Sequence, residues 1–312
     1  MQSKNLHYLF YKEYYRGVDL KNPGEKRNSR LLSEKNAQIL SYIPVAPFRP
    51  SKDPLKHVDG YQCIDDIKTL YPGLLIGTGY PHSVGAAEEY QMGCTLHYVT
   101  GLPYVPGSGV KGALRAAFRD EELVCSLLAQ LGISETFDYA DLVNSIFGAE
   151  KIGGKDIFLD AYPIYERGTQ LLASDALTPH GDDPLKNPIP LPMLKVNSGI
   201  RFCFRFILTD YSEEITATVK VELFRALLCF FGVGAKTNLG YGRFEYAPKP
   251  EPEEELPQDI CPLCKINQRK INNKTGKYYE MCNDCRTKQE KAAQKEAKQQ
   301  TFGSKKQKGY RK

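Results

Sequence analysis

Residues 232–242 constrain the fold of this chain more than any other stretch. The run Gly232-Val-Gly234-Ala-Lys236-Thr-Asn238-Leu-Gly240-Tyr241-Gly242 sets two Gly-x-Gly pairs around a polar centre. Glycine reaches positive φ without steric cost and lets two backbones approach closely, so four of them here demand a tightly folded loop. The flanks fix where that loop sits. Val219, Leu223, Ala226, Leu227 and Phe230 recur at helical spacing and predict a helix that Gly232 ends. Arg243 to Tyr246 then reads as a short strand.

Upstream, Arg201 to Leu208 alternates cleanly, with Phe202, Phe204, Phe206 and Leu208 on one face, which predicts a core strand. Val110, Ala113, Leu114, Ala117 and Phe118 form a helical stripe, and a helix is expected from Ser108 as N-cap to about Gln130. Asp138 to Phe147 reads as a short helix stopped by Gly148, and Asp156 to Tyr162 as a strand. Gly73 to Thr78 and Thr95 to Val99 are short, strand-like apolar runs. Reduced to its core, the order is strand, helix, strand, strand, helix, strand. This predicts an α+β, ferredoxin-like (RRM-like) βαββαβ core with insertions: an antiparallel sheet with two helices on one face. The proline-rich segment 165–196 is too irregular to supply a core element and is expected to be an insertion.

Charge divides the chain more sharply than its net value of +5 suggests. Residues 261–312 carry 15 Lys and Arg against 4 Asp and Glu, whereas the preceding 260 residues carry 27 against 33. A basic appendage therefore follows a mildly acidic body, and such a block either contacts polyanions or solvates a tail. Between them, residues 247–260 combine prolines with carboxylates, as an extended, solvated linker does. The expected organisation is a body over 1–246, a linker over 247–260, a metal-binding element over 261–285 and a basic tail over 286–312. Met1 to Tyr15 has no apolar signal-peptide core, and the longest apolar run, Ala226 to Ala235, is too short to span a bilayer. A cytoplasmic protein without a membrane partner is the expectation.

Four of the nine cysteines are clustered as Cys261-Pro-Leu-Cys264 and Cys282-Asn-Asp-Cys285. Each Cys-x-x-Cys turn offers two thiolates at the separation a tetrahedral ion requires, and four ligands leave no open position. A structural zinc ribbon is expected there. The other five cysteines are scattered singly through apolar segments, where the thiol acts as a small hydrophobe.

The polar residues of the glycine loop suit backbone recognition of a polyanion. Successive amides can cradle phosphate oxygens, Lys236 adds a charge, Asn238 two donors, and Arg243 a guanidinium fork. A tight helix-to-strand connection is the competing structural account. A Walker loop is excluded, because no Gly-Lys-Ser or Gly-Lys-Thr follows and the loop leaves a helix rather than entering one. A second candidate is Gly101-Leu-Pro-Tyr-Val-Pro-Gly-Ser108-Gly-Val-Lys111-Gly-Ala-Leu-Arg115, a turn feeding the first core helix. Helix N-termini attract anions, and Lys111, Arg115 and Arg119 recur every four residues as one basic stripe.

Together these segments resemble the RAMP proteins of CRISPR systems. The Gly-x-Gly-x5-Gly-x-Gly pattern falls on Gly232, Gly234, Gly240 and Gly242, and Pro-Tyr-Val-Pro-Gly-Ser-Gly-Val-Lys-Gly looks like the effector signature, with Gly109 in place of its second serine. Leu74 to His82, Asp175 to His180, Asn187 to Pro190 and Leu194 to Val196 are similar to the sixth-subunit family of the type III-B Cmr complex. The resemblance implies a non-catalytic subunit that binds crRNA near its 3′ end and contacts other Cmr RAMP subunits, with target RNA a further candidate partner. The implied RNA-binding residues are Ser108, Lys111, Arg115, Gly232, Gly234, Lys236, Asn238, Gly240, Tyr241, Gly242 and Arg243. The zinc element and basic tail stand outside the usual pattern. Two alternatives remain open at this point: a guide-processing ribonuclease using His82, His97 or His180 as acid or base, and a zinc-ribbon assembly scaffold.

Overall fold

A computed structural model of the chain describes residues 5–42, 48–77, 84–90, 94–166, 168–178, 190–247, 270, 279 and 281–287. The chain divides into two compact units, residues 1–248 and 249–312. In the first unit the main elements are α1 (Lys26–Leu40), β1 (Tyr61–Thr69), α2 (Gly107–Ala117), α3 (Glu121–Gln130), α4 (Tyr139–Phe147), β2 (Ile157–Phe158), β3 (Tyr162–Ile164), β4 (Leu172–Leu177), β5 (Leu191–Val196), β6 (Arg201–Ile207), α5 (Ala217–Phe231) and β7 (Phe244–Tyr246). Among the described residues, no helix is long and apolar enough to cross a membrane.

The principal sheet is antiparallel and runs β2-β6-β1-β7, with β3 also paired to β6. Its centre is the predicted alternating strand. Phe202, Phe204 and Phe206 are fully buried on one face, and each contributes about 1.5–3 kcal/mol through burial. Two helices cover that face. Phe224 of α5 lies 5.4 Å from Phe206 and 5.8 Å from Phe158, while Phe118, at the end of α2, lies 6.3 Å from Phe224. A buried ion pair pins the start of α5, where Lys220 Nζ donates to Asp156 Oδ2 at 2.9 Å and to the Thr209 carbonyl at 2.9 Å. Removing either partner would strand a charge in the core and cost about 3–5 kcal/mol.

The opposite face is also covered. Arg205 donates to Asp53 Oδ2 at 2.8 Å, and its guanidinium lies 5.1 Å from the rings of both Phe48 and Tyr162. Phe48 and Tyr162 also stack on each other at 5.2 Å, and this ring pair, with a cation beside it that is paired to a carboxylate, ties the segment before β1 to the sheet.

Several expectations change in detail. The first sheet strand is Tyr61–Thr69, whereas Leu74 and Leu75 form only isolated bridges, to Val196 and Ala235. The helix expected over 108–130 is two helices, because Asp120 caps a new one by accepting from the Leu123 amide at 3.1 Å. The N-cap of α2 is Pro106, so Ser108 lies inside the helix. Segment 165–196 holds the β4–β5 hairpin, in which Pro192 pairs with Ala176. The hairpin is a separate two-stranded sheet, and a proline is tolerated where only one side of a strand must donate.

In the second unit, residues 283–287 are helical, the Tyr279 amide donates to the Lys270 carbonyl at 3.0 Å, and Arg286 lies 5.6 Å from the Tyr279 ring. Cys282 is buried just before this turn and Cys285 is half-buried within it. Cys261 and Cys264 lie outside the described residues.

Candidate nucleic-acid interface

The glycine loop consists of two packed arms and an open crest. Gly232 closes α5 at φ 77°, and its amide donates to the Leu228 carbonyl at 2.9 Å. The arms then zip to one another and to residues 73–75: Val233 donates to Gly242 at 3.0 Å, Ala235 to Leu75 at 2.9 Å, and Gly242 to Gly73 at 2.8 Å. This packing is why glycine is required. A Cβ on Gly242 would lie 1.9 Å from the Val233 carbonyl oxygen, one on Gly234 2.3 Å from that of Leu75, and one on Gly232 2.4 Å from that of Gly242. These three glycines serve close backbone approach, and the amides of Val233, Ala235 and Gly242 are already committed.

The crest behaves differently. Lys236 sits in the left-handed region at φ 60°, ψ 33°, the only non-glycine residue with positive φ among those described. Such a conformation costs a side-chain-bearing residue about 1–2 kcal/mol. A single 3-10 turn, Thr237–Leu239, follows. Among the described residues, no hydrogen bond reaches the amides of Lys236, Thr237 or Asn238. Lys236 and Asn238 are exposed, and Gly240 closes the turn at φ 91°.

With these features in place, similarity to known proteins decides the family. The RAMP superfamily model matches residues 66–245. The chain belongs to the RAMP superfamily. It is 27% identical to the CRISPR system CMR subunit Cmr6 of Saccharolobus solfataricus, over 50% of this chain and 49% of that protein. It is 28% identical to the CRISPR system Cmr subunit Cmr6 of Pyrococcus furiosus, over 51% of this chain and 63% of that one. The matched region thus spans about half to under two thirds of the length of these relatives. A chain in the cryo-EM structure of the Type III-B Cmr-beta bound to cognate target RNA aligns with a TM-score of 0.47 and 22% identity, covering 76% of this chain and 79% of that one.

Within the RAMP body, the expected site residues separate into groups. Tyr241 is buried, unlike an open contact: its hydroxyl donates to Asp175 Oδ2 at 2.9 Å, an oxygen that also receives Lys195 Nζ at 2.5 Å. Burial and then the Asp175 hydrogen bond push the Tyr241 phenol up to about 12. Burial would also raise Asp175, but hydrogen bonds from Lys195 and Tyr241 outweigh it and hold the carboxyl below its ordinary value. Arg243 donates from Nη1 to the Phe230 carbonyl, so part of its fork caps the end of α5.

The second expected motif is modified by a residue that sequence reasoning missed. Asp160 Oδ1 accepts from the Gly107 amide at 2.8 Å, placing a carboxylate at the positive end of α2. What remains for an anion is Ser108 and Arg115, both exposed, and Lys111, half-exposed with its ammonium 5.8 Å from the Phe158 ring. This turn adjoins β2, whereas the glycine loop feeds β7 at the other edge of the sheet. Three strand spacings of about 4.8 Å separate those edges, roughly 14 Å. The two motifs therefore lie at opposite edges of the sheet.

His97 is a turn organiser. Its Nδ1 accepts from the Thr100 amide at 3.2 Å and lies 3.0 Å from the Thr100 hydroxyl, and its ring packs edge-on to Tyr104 and Tyr162. His82 and His180 lie outside the described residues.

Proposed function

We propose that this RAMP protein is a non-catalytic RNA-binding subunit of a type III-B CRISPR (Cmr) effector. It holds crRNA near the 3′ end of the guide, beside neighbouring Cmr RAMP subunits and within reach of target RNA, as a cytoplasmic antiviral component. The observation that carries this reading is Lys236, an exposed lysine held in a conformation glycine would adopt at lower cost, on a crest where the amides of 236–238 have no acceptor among the described residues. A charge and bare donors kept there at the expense of backbone strain suit a phosphate, and such contacts read backbone rather than base sequence. Similarity to two Cmr6 subunits supplies the effector context. The strand order supports assigning the body as a ferredoxin-like core: β1, β2 with β3, β6 and β7 take the roles of its first to fourth strands, and α2 and α5 those of its helices. The role of His97 in its turn supports a binding function over a ribonuclease.

In the same reading, Cys261, Cys264, Cys282 and Cys285 hold a structural zinc, which would fix the fold of the second unit before the basic tail. The residues that present themselves for guide contact are Lys236, Asn238 and the backbone amides of 236–238, with Ser108, Lys111 and Arg115 as the second point. Gel-shift titration of guide RNA against the full chain and a chain ending at residue 247 tests this directly. Retained binding by the shorter chain is expected. Binding that disappears with residues 248–312 would transfer RNA contact to the tail and favour a scaffold role for the body.

A further inference from the structure

We propose that Tyr71 is a base-stacking residue that receives one RNA base next to the phosphate held by the Lys236–Asn238 crest. The inference rests on the RNA-binding reading above and adds a specific ligand contact to it. Tyr71 is 85% exposed, a fraction that leaves almost the whole ring open to solvent. It is nonetheless not a loose surface side chain. Lys195 Nζ lies 5.9 Å from the Tyr71 ring centroid and 5.8 Å from that of Tyr241, so one ammonium bridges the exposed ring and the buried one. That lysine is itself nearly buried and locked to Asp175, which Tyr241 also holds. Among the described residues, Tyr71 thus has a held cation on one side and an otherwise open ring.

Its position gives the exposure meaning. Tyr71 and Pro72 form the turn after β1, and a Cβ placed on Gly240 would meet Pro72 Cδ at 3.6 Å, so this turn packs on the closing glycine of the crest. Gly73, next in sequence, accepts from the Gly242 amide. A flat aromatic face therefore lies alongside a cationic, donor-rich turn, and a nucleotide carries the two complementary parts, a π-face and a phosphate. Single-stranded nucleic acids are bound by this pairing of backbone contact with aromatic platforms, and the stacking half is tolerant of sequence because every base has a face.

The test uses the full chain and two single-stranded oligomers of equal length, one an ordinary RNA and one a ribose-phosphate strand without bases, with Tyr71→Ala, Tyr71→Phe and Lys236→Ala. Tyr71→Ala is expected to weaken binding of the ordinary RNA about 5- to 150-fold while leaving the baseless strand unchanged. Tyr71→Phe should bind both like the unmodified chain, and Lys236→Ala should weaken both oligomers alike. If Tyr71→Ala leaves both affinities unchanged, or lowers both equally, while Lys236→Ala still weakens them, the stacking role is overturned and the crest reading survives. If all three variants bind both oligomers like the unmodified chain, the crest reading falls and takes the stacking proposal with it.

Discussion

The arms and the crest of the glycine loop lie within a dozen residues of each other and do opposite things with the same kind of backbone. In the arms, Val233, Ala235 and Gly242 donate to carbonyls of the protein, and glycine is needed because a carbonyl oxygen occupies the place of a side chain. In the crest, the amides of Lys236 to Asn238 have no acceptor among the described residues, and a lysine occupies the left-handed conformation. Glycine density therefore marks how the loop is built.

The largest effect expected from this contrast is on stability. Gly242→Ala forces a Cβ onto the Val233 carbonyl at positive φ and should destabilise the fold by more than about 3 kcal/mol in chemical denaturation. An RNA-binding loss without destabilisation would break the distinction. Tyr241→Phe removes a hydrogen bond to a charged carboxylate and should cost about 1–2 kcal/mol with unchanged RNA affinity. The same phenol gives a pH signature. Its value is raised from the ordinary 10 to about 12, so its stabilising contribution is complete below pH 10 and fades as pH rises through about 12. In Tyr241→Phe that part of the alkaline loss should be absent from a pH series of melts.

Lys236→Gly sharpens the contrast further because its two effects have opposite signs. Relief of the left-handed lysine should raise stability by up to about 1 kcal/mol, while loss of one cation lowers RNA affinity and reduces the salt slope on a single strand by about 0.7. A gain in stability without any change in salt dependence would make the crest a purely structural turn.

Much of this was legible from residue patterns, and the misses have physical causes. The alternating phenylalanines of β6 and the apolar stripe of α5 name their elements, because a two- or 3.6-residue period is a direct imprint of one buried face. The break between α2 and α3 is hidden, since the apolar pattern runs through it and only Asp120, acting as a cap, interrupts the backbone. β1 is obscured by its own sequence. Asp65 and Asp66 disguise a strand in which Asp66 accepts from Arg225 Nε at 3.0 Å across 159 residues. In the site, the four-glycine spacing correctly signals an unusual loop, but it cannot separate amides spent on carbonyls from open ones. Tyr241 reads as available and is buried by a hairpin distant in sequence, while Asp160, which occupies the start of α2, carries no local signal. Tyr71, before a Pro-Gly turn, is visible only as an aromatic in a turn.

On the proposed RNA-binding reading, the open crest, and not the packed arms or the residues beyond 247, touches RNA. Mass spectrometry of peptides crosslinked to guide RNA by ultraviolet light reads that most directly. Crosslinked nucleotides should map to the peptides carrying Lys236 to Asn238 and Tyr71. Crosslinks confined to the basic tail, with none in residues 70–72 or 236–240, would contradict it.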